Sequence, residues 1–306
     1  MFRYPGGKKK LKAYITKIIH RYYIVHECDD REYVEPFVGS FAVGLGLLKY
    51  APFRYIDIND IDYGISAFWN TVIGHPKYLI RRIEEFTPSL KAFYEFKEQL
   101  TDKDLASFAF FSDCRSFEVG FQKLAIHQMS YSGLGTMAGG PIGGVSQKSD
   151  YKIDCRWNPR RLKKQVLKYH ELFKKVKTQG ICGCRDFKYI LNTRKYAPNF
   201  GFSNRVKKFF YIDPPYYQKG PQLYQCSFSD EDHIRLRNIL KESQHPWLLS
   251  YDDCGRIKEL YNWANYIEID NTCTINGPNK KKELLITSKK YKELLEPLEK
   301  DIFEIL

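Results

Sequence analysis

The stretch from Phe209 to Tyr216 ends an apolar segment with an acid, two prolines and an aromatic residue, in the order Phe-Phe-Tyr-Ile-Asp-Pro-Pro-Tyr. The apolar residues predict a buried strand, and the prolines end it because proline fixes φ and has no N–H group. We expect a rigid turn that presents Asp213 and Tyr216 at the carboxyl edge of a sheet, where open α/β folds bind their ligands. The turn is a candidate catalytic site, although an isolated Pro-Pro pair is common in ordinary strand-to-loop turns.

Earlier in the chain, a glycine turn and an acid have the spacing of a nucleotide-binding site. Residues 33–41 predict a strand that ends in a turn at Gly39, and residues 42–48 predict the helix after it. A glycine there allows the backbone to approach a ligand closely. Asp57 lies eighteen residues after Gly39, at the end of a second predicted strand over 54–60, where a carboxylate can bind a ribose diol. Parallel α/β sheets without such a ligand also have strands that end in glycine or aspartate.

The composition has an excess of positive charge. The 306 residues include 49 Lys and Arg against 36 Asp and Glu, a formal net charge of +13, and 16% are aromatic. Such a surface suits a polyanion whose bases can stack, although a solvated Lys-rich surface also explains the charge alone. The excess of positive charge is greatest from Arg156 to Lys177, a segment with nine basic residues and one acid. The apolar spacing of this segment predicts a helix over 158–176. We expect this helix to contact a DNA backbone through Arg156, Arg160, Arg161, Lys163 and Lys164.

Between these motifs, strand and helix patterns alternate. Residues 61–100 and 117–126 are mainly helical in spacing, and residues 129–145 contain six glycines and no charge, so they form a loop or hairpin, which in compact domains is usually functional. Further elements are a strand over 179–183, a helix to 191, and then strands over 247–251, 266–269 and 283–287 with helices over 230–242 and 254–263. This order predicts an α/β fold with a mostly parallel sheet and a terminal antiparallel hairpin. We expect residues 1–60 and 179–306 to form a catalytic domain, and 61–178 to form an inserted helical and loop region for recognition.

The remaining composition limits the class of protein. No window offers about 18 uninterrupted apolar residues, and no signal sequence is found, which predicts a cytoplasmic protein. Eight cysteines are scattered, and the close pair Cys182 and Cys184 has no matching second pair. We therefore expect free buried thiols and no metal site. We expect a monomer or a weak dimer.

With these elements placed, nearly the whole chain resembles the Dam-type (D12 class) adenine-N6 DNA methyltransferases, which implies a Rossmann-like methyltransferase sheet. Tyr4-Pro5-Gly6-Gly7-Lys8 is similar to that family's N-terminal motif, Glu35-Pro36-Phe37-Val38-Gly39 to its cofactor loop, and Asp57-Ile58-Asn59 to its ribose-binding motif. Asp186-Phe187 resembles the pair that binds the cofactor's adenine. The resemblance implies that S-adenosylmethionine binds to Tyr4, Gly7, Lys8, Phe37, Gly39, Asp57, Asp186 and Phe187.

The resemblance also implies how double-stranded DNA is bound and modified. Tyr131-Ser132-Gly133-Leu134 is similar to a hairpin in the family's recognition region, and Lys280-Lys281-Lys282-Glu283-Leu284-Leu285 to a basic turn before the last strand. These motifs imply DNA contacts by Tyr131, Ser132, Gly133 and Lys281. In the motif Asp213-Pro214-Pro215-Tyr216, Asp213 and the Pro214 carbonyl are implied to bind the amine of a flipped-out adenine while Tyr216 stacks on its ring. Positioning then supplies catalysis, without a metal or a covalent intermediate.

Two departures from the family pattern affect the expectations. The family usually has glycine two residues after the first loop glycine, and this chain has Phe41 there, so we expect a differently shaped cofactor loop. Some Dam enzymes carry an arginine shortly after the hairpin to read a guanine, whereas this chain has Gly135 and Thr136. This leaves recognition of GATC open.

Other functions fit parts of the sequence. The methyl acceptor could be another planar amine, such as cytosine N4, an RNA adenine or a protein glutamine, although Asp at the first catalytic position favours adenine. A DNA-binding relative without catalysis is a second alternative, which the intact Asp213 and Tyr216 disfavour. A nicotinamide dehydrogenase explains Gly39 and Asp57 but not the Asp-Pro-Pro-Tyr turn. The sequence leaves open whether the enzyme belongs to a restriction-modification system, to a phage, or acts alone.

Overall fold

The computed structural model describes residues 1–2, 9–26, 31–102, 114–178, 182–192, 207–218, 220, 225–273 and 279–296. Tyr4, Gly7 and Lys8, which the resemblance assigned to the cofactor, lie outside these residues. No helix in the described ranges is long and apolar enough to span a membrane.

A mixed sheet organises the described part of the chain. Its seven strands are β1 (Arg31–Glu35), β2 (Tyr55–Ile58), β3 (Lys177–Thr178), β4 (Lys207–Ile212), β5 (Trp247–Asp252), β6 (Asn265–Cys273) and β7 (Asn279–Thr287). Their order in the sheet is β3-β2-β1-β4-β5-β7-β6. Strands β1 to β5 pair in parallel, and β7 is antiparallel to both β5 and β6. The predicted fold, a Rossmann-like α/β sheet with a terminal antiparallel hairpin, is confirmed.

Strands β1 and β4 are neighbours at the centre of the sheet. From β1 the chain continues to β2 and β3 on one side, whereas from β4 it continues to β5 on the other side. The strand order therefore reverses between β1 and β4, and open α/β sheets bind ligands in the crevice outside the carboxyl ends of the strands at this point. The residues at these two ends are Glu35 and Ile212. Asp213 is therefore the first residue after β4 and lies at this crevice.

Ten α-helices lie within the described ranges. They are α1 (Lys9–Val25), α2 (Ala42–Leu47), α3 (Tyr63–Gly74), α4 (Pro76–Glu85), α5 (Leu90–Thr101), α6 (Cys114–Met129), α7 (Pro159–Phe173), α8 (Phe187–Leu191), α9 (Asp230–Glu242) and α10 (Gly255–Leu260). Helices α3 to α7 lie between β2 and β3 in the sequence. The side chains of Asp62, Ser89 and Asn158 each accept a backbone N–H bond and so cap α3, α5 and α7.

Alternating residues of the strands divide the core between the two faces of the sheet. Tyr33, Phe209 and Tyr211 belong to a large cluster that continues into α3, α5 and α6. Phe210 and Trp247 belong to a second cluster, which includes residues of α8, α9 and α10. Because the first cluster is continuous, the helices between β2 and β3 share a core with the sheet.

Several boundaries differ from the prediction. The first strand ends at Glu35, earlier than the predicted turn at Gly39, because Pro36 and the residues after it turn away from the sheet. A strand was expected over 179–183, of which residues 179–181 lie outside the described part. Lys177 and Thr178 before them form β3, and Gly183 after them forms a parallel bridge to Asn59. The last strand begins at Asn279 and includes most of the turn expected before it.

The expectation of buried thiols is only partly correct. Cys182 and Cys254 are buried, and Cys184 and Cys226 are half-buried, but Cys114 and Cys155 are exposed. All six are free thiols. Cys114 begins α6 and Cys155 lies in the loop before α7, so neither contributes to the core.

Candidate active site

Asp213 lies directly after β4, at the point where the strand order reverses. The hydroxyl of Ser250 on β5 donates a hydrogen bond of 2.9 Å to Asp213 Oδ1. The Tyr211 hydroxyl lies 3.1 Å from the same Ser250 oxygen, and both Ser250 and Tyr211 are buried. Asp213 is half-buried, and its carboxylate is oriented by the hydroxyl of Ser250, which is itself bonded to Tyr211.

The turn after Asp213 is held by two carboxylates on the neighbouring strands. Asp252, which ends β5, accepts hydrogen bonds from the backbone N–H groups of Tyr217 and Gln218, both at 3.1 Å. Glu283 of β7 accepts a hydrogen bond of 3.1 Å from the Tyr216 hydroxyl. Asp252 and Glu283 are paired in register on β5 and β7. This one residue pair therefore fixes both the backbone of the turn and the position of the Tyr216 ring.

A third carboxylate, Glu35, ends the neighbouring strand β1. It is buried, and Tyr33 donates a hydrogen bond of 2.7 Å to its Oε2. Burial raises the pKa of Glu35 well above its usual range; the Tyr33 hydrogen bond and the charge of Lys12 lower it, and the negative charge of Asp213 raises it further. The negative charge of Asp213 thus adds to burial in opposing ionisation of the Glu35 carboxyl.

The turn after β1 is fixed to β2 and α3. The Val38 N–H donates to the Asn59 carbonyl at 2.8 Å, and the Gly39 N–H donates to Asp60 Oδ2 at 2.8 Å. The indole N–H of Trp69 donates to the Gly39 carbonyl at 2.9 Å. Gly39 has a φ of 42°, a left-handed conformation that glycine adopts without strain. The predicted glycine turn is therefore present, and its backbone is tightly held.

Asp60, which the sequence analysis did not select, is central to this turn. In addition to the Gly39 bond, its Oδ1 accepts a bond of 3.0 Å from the Asp62 N–H. Burial, together with the charge of Asp62, raises the pKa of Asp60 to about 7, while the two N–H groups lower it. The signal was present in the sequence, because Asp60 follows Asp57 by three residues, but the pattern does not tell which acid faces the turn.

Asp57 occupies the predicted strand end in β2. Burial raises the pKa of its carboxyl to about 6; the charge of Glu32 raises it further, and those of Lys208 and Arg185 lower it. Asp57 is half-buried, and within the described residues no group hydrogen-bonds to its carboxylate. A half-buried acceptor with no protein partner in the described part of the chain is suited to a ligand that carries hydroxyl groups.

Asn59 brings two of the predicted cofactor segments together. Its side-chain N–H donates to the carbonyls of Pro36 at 3.0 Å and Arg185 at 2.9 Å, and its Oδ1 accepts from the Arg185 N–H at 3.0 Å. The segments that contain Phe37 and Phe187 therefore meet, with their ring centroids 5.6 Å apart.

Phe228 completes an aromatic cluster with these two residues. Its ring centroid lies 5.6 Å from Phe37 and 5.3 Å from Phe187, and Phe187 is buried. Asp186 Oδ1 accepts a bond of 2.9 Å from the Lys188 N–H, and its Oδ2 pairs with Arg235 at 2.9 Å. The structure thus uses the Asp186 carboxylate to cap α8 and to bind Arg235.

The predicted recognition hairpin forms two short 3-10 turns at the end of α6. The backbone of Ser130 bridges to Pro141 in antiparallel pairing, and Ser132 and Gly133 both have left-handed φ values, 55° and 72°. Gly133 is buried, and its carbonyl lies 2.9 Å from His127 Nδ1. Tyr131 projects outward, with 68% of its surface exposed. Of the three predicted residues, Tyr131 and Ser132 face solvent and Gly133 anchors the turn.

Gly135 and Thr136, where some Dam enzymes have an arginine nearby, point into the protein. Both residues are buried, and the Thr136 hydroxyl donates to Gln225 Oε1 at 2.8 Å. A Cβ atom on Gly135 would lie 2.8 Å from His127 Nε2. Neither residue is therefore placed to read a base from this turn.

A second exposed element, missed by the sequence analysis, follows this turn. The Gln147 side chain donates to the Ile142 carbonyl at 2.7 Å and accepts from the Ile153 N–H at 2.8 Å. The loop closed by these bonds presents Val145 and Tyr151 with 68% and 74% of their surfaces exposed. Because both side chains are large and exposed, Val145 and Tyr151 are candidate contact residues for a binding partner. The six glycines of residues 129–145 predicted only a loop, and nothing in the sequence pattern indicated that Val145 and Tyr151 would be exposed.

The basic helix α7 is present, and its charged side chains are not equivalent. Arg161 donates to Gln128 Oε1 at 3.3 Å and to the Arg156 carbonyl at 3.0 Å, so it joins α7 to the end of α6. Lys163 pairs with Glu84 at 2.8 Å. Arg160 and Lys164 are exposed and form no hydrogen bond or ion pair with a described residue.

The helical spacing of the sequence predicts an apolar face of α7 made of Leu162, Val166, Leu167, Tyr169, Leu172 and Phe173, and the buried face is narrower. Leu162, Val166, Leu172 and Phe173 are buried, but Leu167 is 43% exposed and faces an open groove lined by Glu84 and the basic residues of α7. The helix packs against α3 and α4. The last predicted contact, Lys281, lies on β7 opposite Asn271, and its side chain lies outside the described residues.

The mostly parallel sheet, with the Asp-Pro-Pro-Tyr turn at its switch point, is consistent with a Rossmann-like methyltransferase fold. Residues 4–275 match the D12 class N6 adenine-specific DNA methyltransferase family. The chain therefore belongs to this family, and the resemblance found in the sequence is confirmed.

Two relatives are type II methyltransferases. The chain is 24% identical over 256 residues to M.MjaIII of Methanocaldococcus jannaschii, a match that covers 78% of each chain. It is 30% identical over 86 residues to M.CviBI of Paramecium bursaria Chlorella virus NC1A, which covers 28% of this chain and 30% of the relative. The names of the family and of these relatives indicate a DNA methyltransferase.

Proposed function

We propose that this chain transfers a methyl group from S-adenosylmethionine to the N6 amine of an adenine that is flipped out of duplex DNA. The observation that carries the proposal is the pair Asp213 and Tyr216, which lie in one turn at the switch point and are held by hydrogen bonds from β5 and to β7. A carboxylate beside an aromatic ring provides an acceptor for an amine and a platform for a planar base.

The residues beside the turn after β1 fit S-adenosylmethionine. The half-buried Asp57 carboxylate, which accepts no bond from the described residues, suits the two hydroxyls of a ribose. The apolar cluster of Phe37, Phe187 and Phe228 suits the face of an adenine ring. When bound, the cofactor supplies an electrophilic methyl group on a sulfonium.

The amine of adenine is a weak nucleophile because its lone pair is delocalised into the ring. In the proposed complex, Asp213 and the Pro214 carbonyl accept hydrogen bonds from the two amine hydrogens and so localise the lone pair on nitrogen. Ser250 orients the Asp213 carboxylate, and Glu283 orients Tyr216 through its hydroxyl. These residues reduce the barrier by fixed geometry and by an acceptor that is already in place before the reaction.

Residues 61–178 supply the proposed DNA-binding surface. Tyr131, Val145 and Tyr151 are its exposed apolar side chains, and Arg160 and Lys164 are exposed on the adjacent basic helix. Since Arg161 connects α7 to Gln128 near the end of α6, the basic helix and the turn at Tyr131 belong to one surface. We propose that the helix contacts phosphates and that the turns after α6 contact bases.

The proposal is tested by incubating the protein with tritiated S-adenosylmethionine and unmodified duplex DNA, digesting the DNA and separating the nucleosides. We expect the label in N6-methyldeoxyadenosine. Label in N4-methyldeoxycytidine would assign the chain to another amine, and the absence of label from every nucleoside would contradict the proposal. Sequencing of the labelled DNA would then give the recognition site.

A further inference from the structure

Phe41 replaces the second glycine of the family's cofactor loop, and its ring has a defined place in the core. The residue has a left-handed φ of 51°, which is rare and strained for a bulky side chain. Its ring is buried, stacks on Phe173 of α7 at a centroid distance of 5.5 Å, and forms a T-shaped contact with Trp69 at a centroid distance of 5.4 Å. The surrounding rings therefore hold Phe41 in a conformation that it would not adopt alone.

Gly44 is matched to this ring. A Cβ atom on Gly44 would lie 1.8 Å from Cε2 and 2.2 Å from Cζ of Phe41. No real Cβ approaches another carbon so closely, so the Phe41 ring occupies the space that any other residue at position 44 would need. The two positions form a complementary pair, in which the ring is accommodated only because glycine follows three residues later.

The pair is connected to the predicted cofactor turn through Trp69. The Trp69 indole donates its N–H to the Gly39 carbonyl at 2.9 Å and contacts the Phe41 ring. The Phe41 N–H also donates to the Val38 carbonyl at 2.6 Å, which closes the turn around Gly39. A displaced Phe41 ring would therefore move both the turn and the indole that holds it.

We propose that Phe41, seated over Gly44, is a positioning residue that fixes the Gly39 turn in the conformation that receives the cofactor. This inference rests on the proposed function, because it assigns the turn to S-adenosylmethionine. It explains how the loop works without the family's second glycine: Phe41 adopts a left-handed conformation, and the packing of its ring against Phe173 and Trp69 stabilises that conformation.

A double-mutant cycle tests the inference. Calorimetry measures the Kd of S-adenosylmethionine for the wild type, Gly44→Ala, Phe41→Gly and the double variant. The control is Gly74→Ala at the end of α3, where an added Cβ meets no atom within 4 Å. We expect Gly44→Ala to raise the Kd about tenfold or more in the wild-type background, but to change it by less than about twofold once Phe41→Gly has removed the ring.

Additional measurements separate positioning from a loss of stability. We expect the melting temperature of Phe41→Gly to fall while its DNA affinity without cofactor stays within about twofold of the wild type, and its cofactor Kd to rise. If Gly44→Ala does not fold, the inference is tested by Phe41→Gly alone, because this substitution creates space instead of a clash. An unchanged Kd of Phe41→Gly for S-adenosylmethionine would overturn the inference. Equal effects of Gly44→Ala in both backgrounds would also overturn it. If the wild type itself does not bind S-adenosylmethionine, both the inference and the proposed function fail.

Discussion

The hydroxyl of Ser250 donates a hydrogen bond of 2.9 Å to Oδ1 of Asp213. Since Ser250 and its other partner Tyr211 are buried, the sheet determines the direction in which the Asp213 carboxylate points. Hydrogen bonds to charged groups contribute about 1.5–3 kcal/mol. Ser250 is thus a residue outside the Asp-Pro-Pro-Tyr turn that directly orients the proposed acceptor.

We expect Ser250→Ala to lower the kcat of methyl transfer about tenfold or more, because the carboxylate loses its fixed orientation, with little change in the KM for S-adenosylmethionine. The control is Thr287→Val, which removes another buried hydroxyl of the sheet, the one that donates to the Trp247 carbonyl at 2.7 Å. Steady-state kinetics on both variants make the comparison. If both lower kcat equally, Ser250 acts through stability and does not orient Asp213.

Glu283 provides a second prediction about the turn. Glu283→Ala removes the acceptor of the Tyr216 hydroxyl, so the ring loses its fixed position and single-turnover methyl transfer should slow about fivefold to tenfold. Glu283→Gln keeps an oxygen acceptor and should retain most of the rate. The two variants are compared at saturating DNA and cofactor. Equal loss in both would mean that the charge of Glu283 is required, and that its bond to Tyr216 is not.

The pKa of Asp57, raised to about 6 by burial, predicts a pH dependence of cofactor binding. A raised pKa means that the carboxyl is protonated below about pH 6 and charged above it, and the charged form is the better acceptor for ribose hydroxyls. The affinity for S-adenosylmethionine should therefore fall as the pH decreases through 6 and be constant above about pH 7.

Calorimetry between pH 5 and pH 7.5 measures this profile, and Asp57→Asn is the control because its side chain does not titrate. Asp60 also titrates in this range, with a pKa of about 7, and its carboxylate accepts the Gly39 N–H bond. A pH dependence that persists in Asp57→Asn would assign the titration to Asp60.

The basic helix is expected to bind phosphates mainly through the side chains that have no partner among the described residues. Arg160→Gln with Lys164→Gln should reduce the slope of log K against log salt by about 0.9 for each lost contact. Arg161→Gln with Lys163→Gln should reduce it less, since these side chains already bind Gln128 and Glu84. Filter binding over a range of salt concentrations compares the pairs. A changed methylation site in the first pair would show that α7 reads bases.

The sequence predicted the elements whose signals are local. The strand before Asp213 follows from its apolar run and the two prolines, and the turn at Gly39 follows from glycine between a strand and a helix. The resemblance added the order of the motifs and hence the family. These features need only neighbouring residues, which is why they were predictable.

The residues that hold the site were not predictable, because their bonds join distant parts of the chain. Ser250 is separated from Asp213 by 37 residues, and Glu283 from Tyr216 by 67. Their meeting depends on the order of β4, β5 and β7 in the sheet. For Leu167 the sequence pattern gave a wrong prediction. Helical spacing predicted that it lies on the buried apolar face of α7, but the neighbouring helices cover a narrower part of that face, and 43% of the Leu167 surface is exposed.

The central claim is that the Asp213 carboxylate localises the lone pair of the adenine amine. It is tested most directly by measuring methyl transfer by Asp213→Ala in single turnover, with cofactor and DNA binding measured on the same preparation. We expect the rate to fall by about a hundredfold or more, while both binding constants remain within a few-fold of the wild type. A near-normal rate in Asp213→Ala would contradict the mechanism.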